Sequence, residues 1–441
     1  MYGTRGAVSG GRSFSRREFL RVGGASLART ALFGGTLAGC GGGGSDSGDL
    51  IFSMGPDTTG NLQKLVKKFN DQNKGDFQAK YRVMPADSGQ YFEQLRTQFQ
   101  AGGGGVDVIG GDVIWPAQFA ANGWIADVSD RFPESERSNF LDGPIQSLIY
   151  EDKIYGVPWF TDAGMLYYRS DLLDKSGFSG PPKTWEELKE QAMKVVRDQG
   201  VKYGFLFQGA EYEGGTVNGL EYIWTHGGDA LDGQAVVIDS PESVAGLRTQ
   251  QDMVIDGVAP QAVANYTETE SQSTFLNGDA VFCRNWPYMY ALVGNPDEST
   301  IEPGQVGVAP LPVGGSQTQT VSGLGGWNMM INASSDKPDE AWEFIQFMTN
   351  ESSQKFRALE ATLLPTLNSL YEDREVVENV PVIRLGAEAL KSSRPRPVSP
   401  YYSDMSLSMA AQFNDLVSDN TSPEKAARTL QEELKNIVEQ S

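Results

Sequence analysis

Apolar and polar positions alternate in two ways along this chain. DLIFSM at 49–54 is a short apolar run with polar flanks, which predicts a strand. In the following NLQKLVKKFN, Leu62, Leu65, Val66 and Phe69 recur at helical spacing. FQAKYRV at 77–83 alternates with period two and predicts a second strand. QYFEQLRTQF returns to helical spacing, with Phe92, Leu95 and Phe99 on one side. VDVIGGDV at 106–113 predicts a third strand that ends at an acid. Strand and helix taken in turn predict a parallel sheet with helices on its faces.

The pattern restarts after residue 160. KTWEELKEQAMKVV opens a helix with Thr184 as cap and Glu187 three residues on, a capping box. KYGFLF at 202–207 is strand-like. The C-terminal segment is a helix with Ser422 as cap and Pro423 at its first position. Ala426, Leu430, Leu434 and Ile437 or Val438 form its apolar line. A chain of 441 residues exceeds one typical core, so two α/β lobes are expected. Ligands of such sheets bind beyond the carboxyl ends of the strands. Between two lobes that place becomes a cleft, closed by hinge motion.

The first forty residues follow neither period. SRREFLRVGG at 15–24 sets adjacent Arg16 and Arg17 before Phe19, Leu20 and a weakly apolar run that Arg29 interrupts. A basic start and a short apolar stretch predict an export signal, residues 1–39, and not a membrane span. The string is similar to a twin-arginine signal. LAGC at 37–40 is similar to a bacterial lipoprotein cleavage box, with Cys40 as the lipidated residue. GGGGSDSG then predicts a flexible tether, so residues 40–48 join a lipid to the folded body. The expected location is the outer face of the cytoplasmic membrane.

The net charge of −21 excludes nucleic acid as a partner, because phosphates need Lys and Arg. Losing a leader of six arginines and one glutamate takes it to about −26. The single histidine, His226, and two cysteines, Cys40 and Cys283, leave no His-based metal site and no internal disulfide beside a lipidated Cys40. No cofactor or metal is expected.

No H-E-x-x-H, G-x-S-x-G or phosphate-loop motif occurs. AGGGGVD at 101–107 precedes a strand and reads as a loop. Asp112 and Asp162 form a candidate acid pair for glycoside hydrolysis, but the sequence supplies no reason for one of them to be protonated. Acids and aromatic rings meet repeatedly: GGDVIW (Asp112, Trp115), PWFTDAG (Trp159, Phe160, Asp162), FCRNWPYMY (Arg284, Trp286, Tyr288), LGGWN (Gly326, Trp327) and RPRPVSPYY (Arg396, Tyr401, Tyr402). Taken singly, each is readily a core ring and a capping acid. Together they suit a sugar, whose C–H face packs on a ring and whose hydroxyls donate to carboxylates.

In order and spacing these segments, with YGVPWFTDAGMLYYRSDLL, FQGAEYEGG, EYIWTHGGD, NYTETES and VGVAPLP, resemble the bacterial extracellular solute-binding proteins of ABC sugar importers. The trehalose/maltose-binding proteins are the nearest likeness, over about residue 50 to the C-terminus. The resemblance implies a type II periplasmic-binding-protein fold with three crossovers, near Phe160, Gly325 and Tyr371. Lobe 1 is then 49–160 and 326–371, and lobe 2 is 161–325 and 372–441. It also implies a monomeric, non-enzymatic receptor that hands a glucose-type disaccharide to a permease with a separate ATPase. By the same resemblance, Asp112 and Asp162 bind hydroxyls, Phe160, Trp286, Tyr288 and Trp327 stack or line the site, Gly326 lets backbone approach the ligand, and Arg396 donates to sugar oxygens. Thr58, Thr59, Tyr91 and Trp115 are further candidates. Relatives carry a Tyr at Phe160, an acid in the loop GPDTTGN and an arginine near Tyr91. A secreted carbohydrate-active enzyme, or a receptor for another neutral oligosaccharide or glycoside, is the alternative.

Overall fold

The computed structural model describes residues 48–439 apart from 58, 75–76 and 234. The export signal with Arg16 and Arg17, the lipidation residue Cys40, and Thr58 lie outside the described residues.

The first three expected strands form as Leu50–Met54, Ala79–Val83 and Val108–Asp112, and they pair in parallel with Leu50–Met54 in the middle. Helices Asn61–Gln72 and Ser88–Gln100 bury the predicted stripes, Leu62, Leu65, Val66 and Phe69 on the first and Phe92, Leu95 and Phe99 on the second. The sheet does not stay parallel. Ser322–Ile331 runs antiparallel to Val108–Asp112 on one side and to Val157–Ala163 on the other. Helical crossovers make neighbours parallel; Ser322–Ile331 instead enters the first sheet straight from Val306–Ala309 of the second, with no helix between, so local strand–helix order could not give its direction.

A second sheet has the order Val306–Ala309, Met165–Arg169, Ala280–Asn285, Tyr203–Leu206, and it too is mixed. One residue, Gly164, separates the last residue of the first sheet's Val157–Ala163 from the second sheet's Met165–Arg169. A Cβ on Gly164 would sit 2.1 Å from Glu221 Oε1 and 2.6 Å from Arg284 Nη2, so the passage needs a bare backbone. One core backs the first sheet, around Phe52, Trp159 and Phe344. Another surrounds the second, around Phe205, Phe282 and Trp185. A third joins helices Glu213–Thr225, Tyr402–Val417 and Pro423–Glu439.

Helix Trp185–Gln199 is capped as expected by Thr184 Oγ1, which accepts from the Glu187 amide at 3.1 Å. The reciprocal half of the box is shifted: Glu187 accepts from the Lys183 amide at 2.6 Å. Ser422 caps the last helix, accepting from the Lys425 amide at 3.3 Å, and Ala426, Leu430 and Leu434 are fully buried.

Candidate functional site

The site is built where Val157–Ala163 and Ser322–Ile331 lie side by side. Trp327 faces Asp112 across one ladder and Phe160 across the other, and Gly325 faces Asp162. Phe160 pairs with Trp327 while Pro158 pairs with Asn328, so Trp159 is the extra residue of a bulge. Gly326 takes φ 127°, and a Cβ there would lie 2.5 Å from the Phe160 carbonyl oxygen. The neighbouring strand therefore demands this glycine, whatever else approaches it.

Asp162 sits on the same strand face as Phe160. It is 7% exposed, and its Oδ1 has no hydrogen-bond partner. Burial pushes its carboxyl up to about 8; Asp112 pushes the same way, and Arg357 and Arg284 pull against both. Gly325 leaves room beside it: a Cβ would meet the Trp286 ring at 3.0 Å and the Asp162 Cβ at 3.1 Å. Trp286 is partly exposed. The Arg284 guanidinium lies 3.9 Å over its ring, and its Nε1 donates to Glu268 Oε1 at 3.1 Å. The other oxygen of Glu268 accepts from the Tyr212 hydroxyl at 2.7 Å. The Tyr288 hydroxyl is raised well above the ordinary range by burial, with Glu268, Cys283 and Asp162 adding to it.

Asp112 ends its strand and is nearly buried. Oδ1 accepts from Arg396 Nη2 at 3.1 Å and from the Ile114 amide at 3.3 Å; Oδ2 accepts from Ser88 Oγ at 3.0 Å. Arg396 also donates through Nη1 to Glu213 Oε1 at 2.6 Å and through Nη2 to the Leu324 carbonyl at 3.4 Å. Glu213 takes further bonds from Tyr402 and Ser406. Arg396 thus spends both terminal nitrogens on the protein, and only its Nε is buried without a partner. Its observed work is to neutralise two acids from distant segments.

The further candidates hold other positions. Tyr91 is fully buried, donates to Ser53 Oγ at 2.8 Å, and stacks on Trp327 at 6.1 Å and 18°. Trp115 is buried and meets Trp327 edge-on at 5.6 Å and 81°. Both rings back Trp327, which is itself partly exposed. Thr59 is bonded to Asp57, whose oxygens also accept from the Leu62 amide and from Asn61 at the start of helix Asn61–Gln72. The acid of the GPDTTGN loop therefore caps a helix.

Glu213, Glu221 and Glu268 lie inside the segments FQGAEYEGG, EYIWTHGGD and NYTETES without being candidates there, and Arg357 lies in none. Glu213 shares Arg396 with Asp112, Glu221 pairs with Arg284, Glu268 holds Trp286, and Arg357 acts on Asp162. Glu213 and Glu221 stand eight residues apart on one buried helix, an acid repeat in an apolar setting that the sequence does display. Arg357 is reached only through tertiary contacts. Chemically, the arrangement offers aromatic faces, a bare carboxyl oxygen and a surplus of acids over bases. It suits a neutral, hydroxylated ligand and disfavours an anion. Asp162 supplies the protonated acid a hydrolase needs, but both oxygens of Asp112 are occupied, which leaves no free second carboxylate in this pair.

Two mixed sheets, each with its own core and joined through Gly164, are the architecture of a two-lobed α/β protein. Residues 55–355 match the family model of bacterial extracellular solute-binding proteins, and the chain belongs to that family. It is 33% identical over 388 residues to a probable ABC transporter-binding protein of Deinococcus radiodurans, covering 86% of this chain and 87% of that one. MalE3 of T. maritima, solved with maltose bound, superposes with a TM-score of 0.83 at 37% identity, over 88% of this chain and 99% of that one. The GacH receptor of Streptomyces glaucescens, solved unliganded and with acarbose, gives 0.80 at 25% identity, over 89% and 99%. These likenesses fix the two-lobed fold.

Proposed function

We propose that this protein is the sugar receptor of an ABC importer and captures a glucose-type disaccharide of the maltose or trehalose kind. The single observation that carries the reading is Asp162: a buried acid set beside Phe160 and Trp286 whose Oδ1 has no hydrogen-bond partner to offset its burial. A ligand hydroxyl supplies that partner, and the rings supply faces for the sugar. The maltose-bound relative and the acarbose-binding receptor favour this ligand class. Asp112, Phe160, Asp162, Trp286, Tyr288, Gly326, Trp327 and Arg396 remain the proposed ligand wall. Tyr91 and Trp115 support it from behind.

The lobes of this reading are 49–160 with 326–371, and 161–325 with 372–441, and strand Val157–Ala163 and strand Ser322–Ile331 lie near their junctions. The receptor is a monomer held by lipid on Cys40, exported through the Arg16–Arg17 signal, and it delivers sugar to permease subunits served by a separate ATPase. It catalyses nothing. The raised Asp162 carboxyl is the one feature that favours a hydrolase instead.

Calorimetric titration of maltose, trehalose and sucrose into the purified protein tests the reading, with glucose release assayed on the same samples. Tight binding of at least one, without glucose release, is expected. Binding of none overturns the sugar assignment, and steady glucose release replaces the receptor with an enzyme.

A further inference from the structure

Helix Glu351–Ala361 carries no cluster of rings and acids, yet it sends Arg357 over the Trp159 and Phe160 rings, on the strand that carries Asp162. Arg357 is 5% exposed. Its Nε donates to Asn61 Oδ1 at 3.0 Å. Its guanidinium plane lies 3.8 Å over the Trp159 ring and 4.5 Å over the Phe160 ring. The bulge at Trp159 brings both rings under one cation. A structural clamp needs that plane and Nε. It does not need Nη1, which is excluded from solvent and has no partner, and Arg357 makes no ion pair among the described residues. A buried guanidinium N–H without an acceptor is costly, and a buried cation without a paired anion more so.

Asp162 Oδ1 is bare in the same way. One group is an obligate donor and the other a carboxyl acceptor. Arg357 interacts electrostatically with Asp57 first and with Asp162 second, and it makes a hydrogen bond to neither. Two adjacent hydroxyls on one ring answer both at once: the first oxygen accepts from Nη1, and the second hydroxyl donates to Oδ1. We propose that Arg357 is a ligand-binding, specificity-determining residue whose Nη1 pairs with Asp162 Oδ1 to hold a vicinal diol of the captured sugar. This inference rests on the sugar-receptor reading and adds to it the group that selects one end of the ligand.

The test titrates the disaccharide that binds wild type, and its monodeoxy derivatives, into wild type, Arg357→Met and Arg357→Lys. Melting of each free variant reports whether it is folded. Arg357→Met should bind about 10–100-fold more weakly, with Arg357→Lys between, since an ammonium keeps the charge without the planar fork. One monodeoxy derivative should lose about tenfold against wild type and nothing further against Arg357→Met. Unchanged affinity in Arg357→Met overturns the proposal. So does a folded variant that is weaker for every derivative by the same factor, which marks a purely structural clamp. Failure of wild type to bind any sugar is a separate result and overturns the receptor reading beneath the proposal.

Discussion

Glu221 Oε1 accepts from Arg284 Nη2 at 2.6 Å while Oε2 accepts from Arg284 Nε at 2.8 Å, a two-pronged ion pair with both side chains almost wholly buried. The same Oε1 takes the Gly323 amide at 3.0 Å, and Gly164 lies close over it. One ion pair therefore bonds one stretch of chain that leads between the sheets and packs close against another, and its arginine lies over the Trp286 ring.

Glu221→Gln should leave the Arg284 charge buried without its anion and cost about 3–5 kcal/mol of stability. Urea denaturation measures it. A loss under about 1 kcal/mol means that water or another acid compensates, and the pair is not the tie described.

Asp162→Asn tests the raised carboxyl. The folded state holds a proton up to about pH 8, which the unfolded chain releases near its ordinary value of 3.8. Wild-type stability should therefore fall as pH rises from about 4 to about 8, by up to several kcal/mol, and the variant should lack that decline. A sugar hydroxyl that donates to the carboxylate favours its ionised form. Wild-type affinity should then climb with pH towards 8, and the variant should bind about 1–3 kcal/mol more weakly with a flat profile. Parallel stability curves for the two proteins rule this out.

Trp159 and Trp327 separate core from site. Trp159 is 1% exposed, and Trp159→Ala should cost about 3–5 kcal/mol of stability. Trp327 is partly exposed, and Trp327→Ala should cost about 1–2 kcal/mol while weakening sugar binding at least tenfold. Denaturation and titration of both variants decide; the reverse ranking returns Trp327 to the core.

Arg396→Met removes the cation shared by Asp112 and Glu213 and should cost about 3–5 kcal/mol at pH 7. Burial already raises the Glu213 carboxyl, so the deficit should shrink as pH falls towards 5 and Glu213 takes up a proton. A deficit that stays constant over this range shows that packing, not charge, is what the arginine supplies.

Cys40→Ala should release the exported protein from the membrane fraction without changing its sugar affinity. Fractionation of cells and titration of the soluble variant check this. Continued sedimentation with membranes excludes lipid anchoring at that residue.

The helix stripes of Leu62, Leu65, Val66 and Phe69 and of Ala426, Leu430 and Leu434, and the first three parallel strands, were legible in the sequence because they depend on local period alone. Asp162, Trp286 and Trp327 stood out in the sequence only through the repeated pairing of acids with rings, since each alone reads as a core ring or a capping acid. Tertiary structure alone decided what each group has for company. The direction of Ser322–Ile331 depends on where the chain re-enters the sheet, and Gly326 is explained by a strand about 165 residues earlier. Whether Arg396 faces sugar or Glu213, and whether Asp162 holds a proton, follow from distances between segments far apart in the chain. Charge and desolvation act through space, and Arg357 lies 195 residues from Asp162 in sequence while meeting it at one wall.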